Sequence, residues 1–142
     1  MKKRIAALAV CAVFLMLFCT GCFGRTKLDE RFDKEKTIEE AEKIIDEVHI
    51  IGLEKVLNER MREDYLADYP METSSEDFEN LRASVGAFMA YTQETIVGKD
   101  SPDEKKEPFA VVAVTATYEE GELLFMLTFD TDMKLVSFYV KK

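Results

Sequence analysis

Apolar residues recur every third or fourth position up to Gly86 and at every second position beyond it. A chain that changes period once, from 3.6 to 2, commits its first half to amphipathic helices and its second to strands. That order predicts an α+β domain with helices on an antiparallel sheet. Thr37-Ile38-Glu39-Glu40 reads as a capping box, with the Thr37 hydroxyl and the Glu40 carboxylate each satisfying an orphan backbone N–H. Ala41, Ile44, Ile45 and Val48 then share one face. Gly52 breaks the pattern, and Leu53, Val56, Leu57 and Met61 give a second stripe as far as Arg62. Residues 64–74 are less regular, and Pro70 stops any helix there. Ser75 is placed to cap a third helix carrying Phe78, Leu81 and Val85, with Gly86 as its stop.

Four strands follow, at 87–97, 109–118, 123–129 and 135–140. A charged loop at 98–108, a hairpin turn at Glu119-Glu120-Gly121 and a turn at 130–133 separate them. These strands lack a wet face. Phe109, Val111 and Ala113 oppose Ala110, Val112 and Val114, and Leu123, Phe125 and Leu127 oppose Leu124 and Met126. Both faces are apolar enough to be covered. One packs on the helices. The other suits a homodimer, a strongly curved sheet that wraps its own strands, or the N-terminal segment folding back.

The N-terminus carries a different signal. Lys2, Lys3 and Arg4 precede an uncharged run from Ile5 to Phe18, too short to span a bilayer and of signal-peptide length. Cys19-Thr20-Gly21-Cys22 follows and resembles the lipobox of bacterial lipoproteins, with Cys19 where Leu is usual. The expected processing removes residues 1–21, places a diacylglyceryl group on Cys22, and leaves 22–36 as lipidated terminus and tether and 37–142 as the domain. Two acyl chains anchor stably, at about 0.8 kcal/mol per buried methylene. The location expected is the extracytoplasmic face of the cell membrane. Cys11 and Cys19 leave with the signal and Cys22 is consumed by lipid, so the mature domain has no disulfide, thiolate metal site or cysteine nucleophile. Loss of Lys2, Lys3 and Arg4 leaves 16 basic residues against 28 acidic and takes the net charge from −9 to −12. So acidic a chain argues against nucleic acid as a partner.

A family resemblance rests on particular residues. The helices lead into Val85-Gly86-Ala87-Phe88, then come Val111 to Tyr118 with Glu120-Gly121, then Leu127-Thr128-Phe129-Asp130 and Lys134-Leu135-Val136-Ser137-Phe138. Together they resemble the DUF3887 domain, found in lipoproteins and exported proteins of Firmicutes and similar to the NTF2-like superfamily. The resemblance spans roughly Thr37 to Val140. It implies an NTF2-like cone, three N-terminal helices packed on a curved four-stranded antiparallel sheet, and no catalytic residues. Met133 stands where related sequences often have Gly, which implies a different turn geometry.

Candidate chemistry is sparse. His49 is the sole histidine. An acid–base enzyme would need it to converge with an acid such as Asp46, Glu94 or Asp130. One His and no thiol predict no metal site. Asp130-Thr131-Asp132 begins like a calcium loop, but Lys134 and Leu135 stand where an oxygen ligand and Gly belong. There is no G-x-S-x-G elbow, phosphate loop or dinucleotide motif. If the cone forms, its pocket would be lined by the polar-tipped Tyr65, Tyr69, Tyr91, Thr115, Thr117 and Tyr118, with His49 nearby. The function expected is a non-enzymatic, membrane-anchored domain without cofactor that binds a small apolar or amphiphilic ligand or a protein partner. The alternatives are an enzyme using His49 with a carboxylate, and a structural spacer in the envelope.

Overall fold

The computed structural model describes residues 25–142. In chain order they form β1 (Arg25–Thr26), α1 (Lys34–Ile51), α2 (Leu53–Arg60), α3 (Glu63–Asp68), α4 (Met71–Val85), β2 (Phe88–Asp100), β3 (Pro108–Tyr118), β4 (Gly121–Phe129) and β5 (Leu135–Lys141). The strands make one antiparallel sheet in sequence order. The described residues are therefore α+β, as the change of period predicts, although they form four helices where three are expected. Among the described residues no helix is long and apolar enough to cross a membrane. The signal peptide and Cys22 lie outside the described residues.

Local differences from the sequence reading have physical causes. The first helix starts four residues earlier, because Asp33 rather than Thr37 caps it: Asp33 Oδ1 accepts from the Lys36 N–H at 3.0 Å. Thr37 lies inside the first turn and its hydroxyl donates to the Asp33 carbonyl at 2.6 Å, so no capping box forms. Gly52 adopts φ +92°, a conformation that costs an L side chain 1 kcal/mol or more, and this single residue ends α1 and turns the chain into α2. Pro70 ends α3 but also starts α4, where its missing N–H is no loss. Ser75, expected as a cap, is therefore interior to α4, and its buried hydroxyl has no partner.

The tether expected at 22–36 is, in its described part, built into the domain. Arg25 pairs with Lys99 and Thr26 with Gly98, while Leu28 and the buried Phe32 pack on the core. This pairing extends β2 to Asp100, three residues past its expected end. In the β4–β5 turn Met133 takes φ +62°, the left-handed geometry that Gly supplies freely.

Alternation decides the two faces of the sheet. Ala110, Val112, Val114, Ala116 and Tyr118 of β3, with Leu123, Phe125, Leu127 and Phe129 of β4, are buried against Ile44, Ile45 and Val48 of α1, Val56 and Leu57 of α2, and Phe78 of α4. Each such Leu, Ile or Phe contributes about 1.5–3 kcal/mol on burial. Positions on the opposite face, such as Val111, Ala113, Leu124 and Met126, are half-buried, and no described helix covers them.

Candidate functional site

The helical face of the sheet gathers its most unusual side chains where the last two turns of α1 cross β2 and the end of β3. The repeat that turns Ile45 and Val48 into the core sets Glu42, Asp46 and His49 along the edge of α1 that meets β2. His49 is half-buried. The rings of Phe78, Phe88, Tyr118 and Phe125 surround it, with centroids 5.5 to 6.1 Å away. Its Nε2 lies 2.5 Å from the Tyr118 hydroxyl. With the ring proton assigned to Nδ1, Nε2 accepts from the Tyr118 O–H. Burial, helped by nearby Arg82, holds the imidazole below its ordinary pKa, against the Ile45 carbonyl and Asp46. Burial also pushes the Tyr118 phenol up to about 12.

One turn back along α1 the surroundings turn acidic. The Tyr91 hydroxyl from β2 stands 2.5 Å from Asp46 Oδ1 and 3.1 Å from the Glu42 carbonyl. Burial first, then Asp46, raises its pKa. Glu42 is pushed up to about 7, chiefly by burial, then by a hydrogen bond with Glu94 and the charges of Glu94, Asp46 and Glu39. A carboxyl near neutrality between other carboxylates holds or releases a proton at working pH. Of the rings around His49, Phe88 is 38% exposed, and the sequence neighbours Ile50 and Met89 are 80% and 64% exposed.

The other expected residues fall elsewhere. Tyr65 and Tyr69 line a separate cleft of about 350 Å³ with Asp64, Asp68, Pro70, Val136 and Ser137. There the Arg62 guanidinium lies over the Tyr65 ring, 4.9 Å from its centroid, and the Tyr69 hydroxyl donates to the Phe138 carbonyl at 3.0 Å. Thr115 and Thr117 belong to the opposite face of the sheet, where Thr117 Oγ1 is 3.2 Å from Thr92 Oγ1; they do not meet Tyr118 or Tyr91. A second cleft, about 500 Å³, lies where α1 passes into α2, between Ile51, Gly52, Lys55, Ser75 and Glu79.

Asp130 is not an acid partner for His49. It is buried, takes the N–H groups of Asp132 and Lys134 on Oδ1, and binds Arg62 Nη1 through Oδ2 at 3.2 Å. The sequence reading named Asp46, Glu94, Tyr91, Tyr118 and His49 but missed Glu42, Phe88 and Arg82. Only the i, i+4, i+7 spacing of Glu42, Asp46 and His49 could have flagged Glu42. Among the described residues, no three His, Cys, Asp or Glu side chains are arranged to hold a metal ion.

No protein-family model matches the chain, and no curated protein matches it either. Among solved structures, the NMR structure of a protein from Ruminococcus gnavus ATCC 29149 is similar to it at a TM-score of 0.69 and 26% sequence identity. The likeness covers 81% of this chain and 96% of that one, and it supports the α+β arrangement of helices on an antiparallel sheet.

Proposed function

We propose that this protein is an exported lipoprotein, held by lipid on Cys22 at the extracytoplasmic face of the cell membrane, whose DUF3887-type, NTF2-like cone binds a small ligand or a partner without turning it over. The anchor rests on the basic start, the short apolar run and Thr20-Gly21-Cys22. The cone reading is supported by helices on one sheet face and by register shifts in β2 between Phe88 and Ala90 and between Tyr91 and Gln93, since such shifts bend a strand. The observation that carries binding over catalysis is the state of His49. The Tyr118 hydroxyl occupies its Nε2 and burial disfavours the charged ring, so it is a poor proton carrier and a good wall. Phe88, which packs on the ring and is 38% exposed, offers apolar contact.

Native mass spectrometry of residues 23–142 tests this. A small mass that copurifies with wild type and is lost with Phe88→Ala is the expected result. A bare wild-type mass that no envelope extract shifts would sink ligand binding. A second reading, acid–base catalysis, draws on Glu42 with its pKa near 7 beside Asp46 and Glu94; turnover of any model ester or glycoside that Glu42→Gln abolishes would put it ahead. The outer sheet face, with uncharged Val111, Ala113, Thr115, Leu124 and Met126, suits a homodimer in so acidic a chain. The same spectra would report a dimer mass.

A further inference from the structure

We infer that the domain stands on the membrane by the β2–β3 loop end of its sheet, so that the His49 site opens away from the bilayer and takes a water-borne ligand or partner with no net negative charge. The inference rests on the lipidation of Cys22 proposed above. Only Phe23 and Gly24 separate Cys22 from Arg25 in the sequence. Three Cα steps of about 3.8 Å span no more than ~11 Å, so Arg25 must lie within that distance of the lipidated residue.

Arg25 is already part of the sheet. It pairs with Lys99 beside the loop that joins β2 to β3, and Thr26 pairs with Gly98. Gly98 admits this strap: a Cβ there would sit 2.8 Å from the Thr26 carbonyl oxygen and 2.7 Å from the Lys27 carbonyl carbon, which are backbone atoms that cannot swing aside. Leu28 and Phe32 then fix the strap to the core. Two residues between Cys22 and the strap make a short linker, which restricts how far the domain can turn about its lipid.

From Gly98, β2 runs back nine residues to Met89, about 30 Å at 3.3 Å per residue. His49, Phe88, Met89 and Ile50 all lie at that far end, since the His49 and Phe88 rings are in contact and Ile50 and Met89 adjoin them in sequence. Charge is distributed to match. Residues 25–36, 62–64, 99–107 and 130–134, at the anchor end, hold ten basic and twelve acidic side chains, while the other residues to Lys142 hold six basic and sixteen acidic. The nearly balanced end can approach anionic headgroups, and the acidic remainder is repelled by them. An acyl chain in the host bilayer is out of reach of a site 30 Å away, and the carboxylates of Glu42, Asp46 and Glu94 disfavour anions there.

The test is resonance energy transfer in the full-length lipidated protein, in vesicles of phosphatidylethanolamine and phosphatidylglycerol carrying a headgroup acceptor dye. Cys22 is blocked by lipid, so Lys105→Cys and Met89→Cys each take a single donor dye. Transfer from position 105 is expected to be several-fold stronger than from 89. Gly98→Ala, or a flexible Gly-Ser insertion between Gly24 and Arg25, should level the two without releasing the protein from vesicles. The insertion touches no packed residue, so it still gives an answer if Gly98→Ala fails to fold. Equal transfer in wild type, or stronger transfer from 89, overturns the orientation and leaves the lipoprotein reading standing. A wild-type protein that stays soluble, and that Cys22→Ser does not change, overturns both.

Discussion

Two clusters of ionisable groups, one at the β2–β3 loop end of the sheet and one midway along β2, show what pairing does to charge. At the loop end Arg62 binds Asp64, Glu107 and Asp130 at 2.8 to 3.2 Å, and the carboxylates around it raise its pKa further. Beside the middle of β2 Glu42 sits among Asp46, Glu94 and Glu39, and its pKa rises to about 7. In the first cluster a central cation stabilises every neighbour, and its geometry serves the fold: Asp130 closes the β4–β5 turn while Arg62 donates its backbone N–H to the Leu135 carbonyl at 2.8 Å. In the second, acids face one another and stability is given up. Crowded like charges that persist in a fold point to a use beyond folding.

Breaking the first cluster should have the largest effect. Asp130→Ala removes one of the three carboxylates on the Arg62 guanidinium and leaves two turn N–H groups unpaired in a site where the Asp130 side chain is 3% exposed. The expected loss is about 3–5 kcal/mol, measured by urea denaturation. A loss under about 1 kcal/mol would mean the cluster is a surface feature and the contrast is wrong. Tyr118→Phe, at the far end, removes one hydroxyl from His49 and should cost about 1–2 kcal/mol. It also frees Nε2, so the imidazole nitrogen shifts in NMR spectra of the variant should move while the core methyl shifts stay put. Unchanged imidazole shifts would show that Tyr118 does not hold the ring.

The fold was legible in the sequence wherever one residue decides the outcome locally. Gly52, Gly86 and Glu119-Glu120 fall where the pattern puts them, because each marks a backbone turn that needs no distant partner. The start of α1 and the end of β2 were not legible. Asp33 outcompetes Thr37 for the cap, and β2 continues through Gly98 because β1 arrives from seventy residues away to pair with it. The site was half legible. Tyr91, Tyr118 and His49 announce themselves by type, but the alternation that puts Tyr118 on the helical face sends Thr115 and Thr117 to the other. Glu42 reads in the sequence as an ordinary solvated helix residue. Only the fold brings Glu94 beside it.

Glu42 also gives the smallest and most specific prediction, because its sign is opposite to that of an ordinary paired carboxylate. Its pKa is about 7 folded against 4.5 unfolded, so between those values the folded state binds the extra proton. Stability contributed by this group is therefore full below about pH 4.5 and falls as pH rises through 7. His49 runs the other way: its folded pKa lies below 6.5, the unfolded chain takes the proton first, and stability falls as pH drops below that value. Because Glu42 is only partly buried, solvent screening limits its share to about 1 kcal/mol or less. Glu42→Gln should remove the first slope and leave the second, so that the variant melts slightly higher than wild type above pH 7 and no higher at pH 5. Melting temperatures by circular dichroism at half-unit steps from pH 4.5 to 8 would show it. Parallel curves for the two proteins would mean that Glu42 and Glu94 do not share a proton, and their cluster would then be acidic surface like any other.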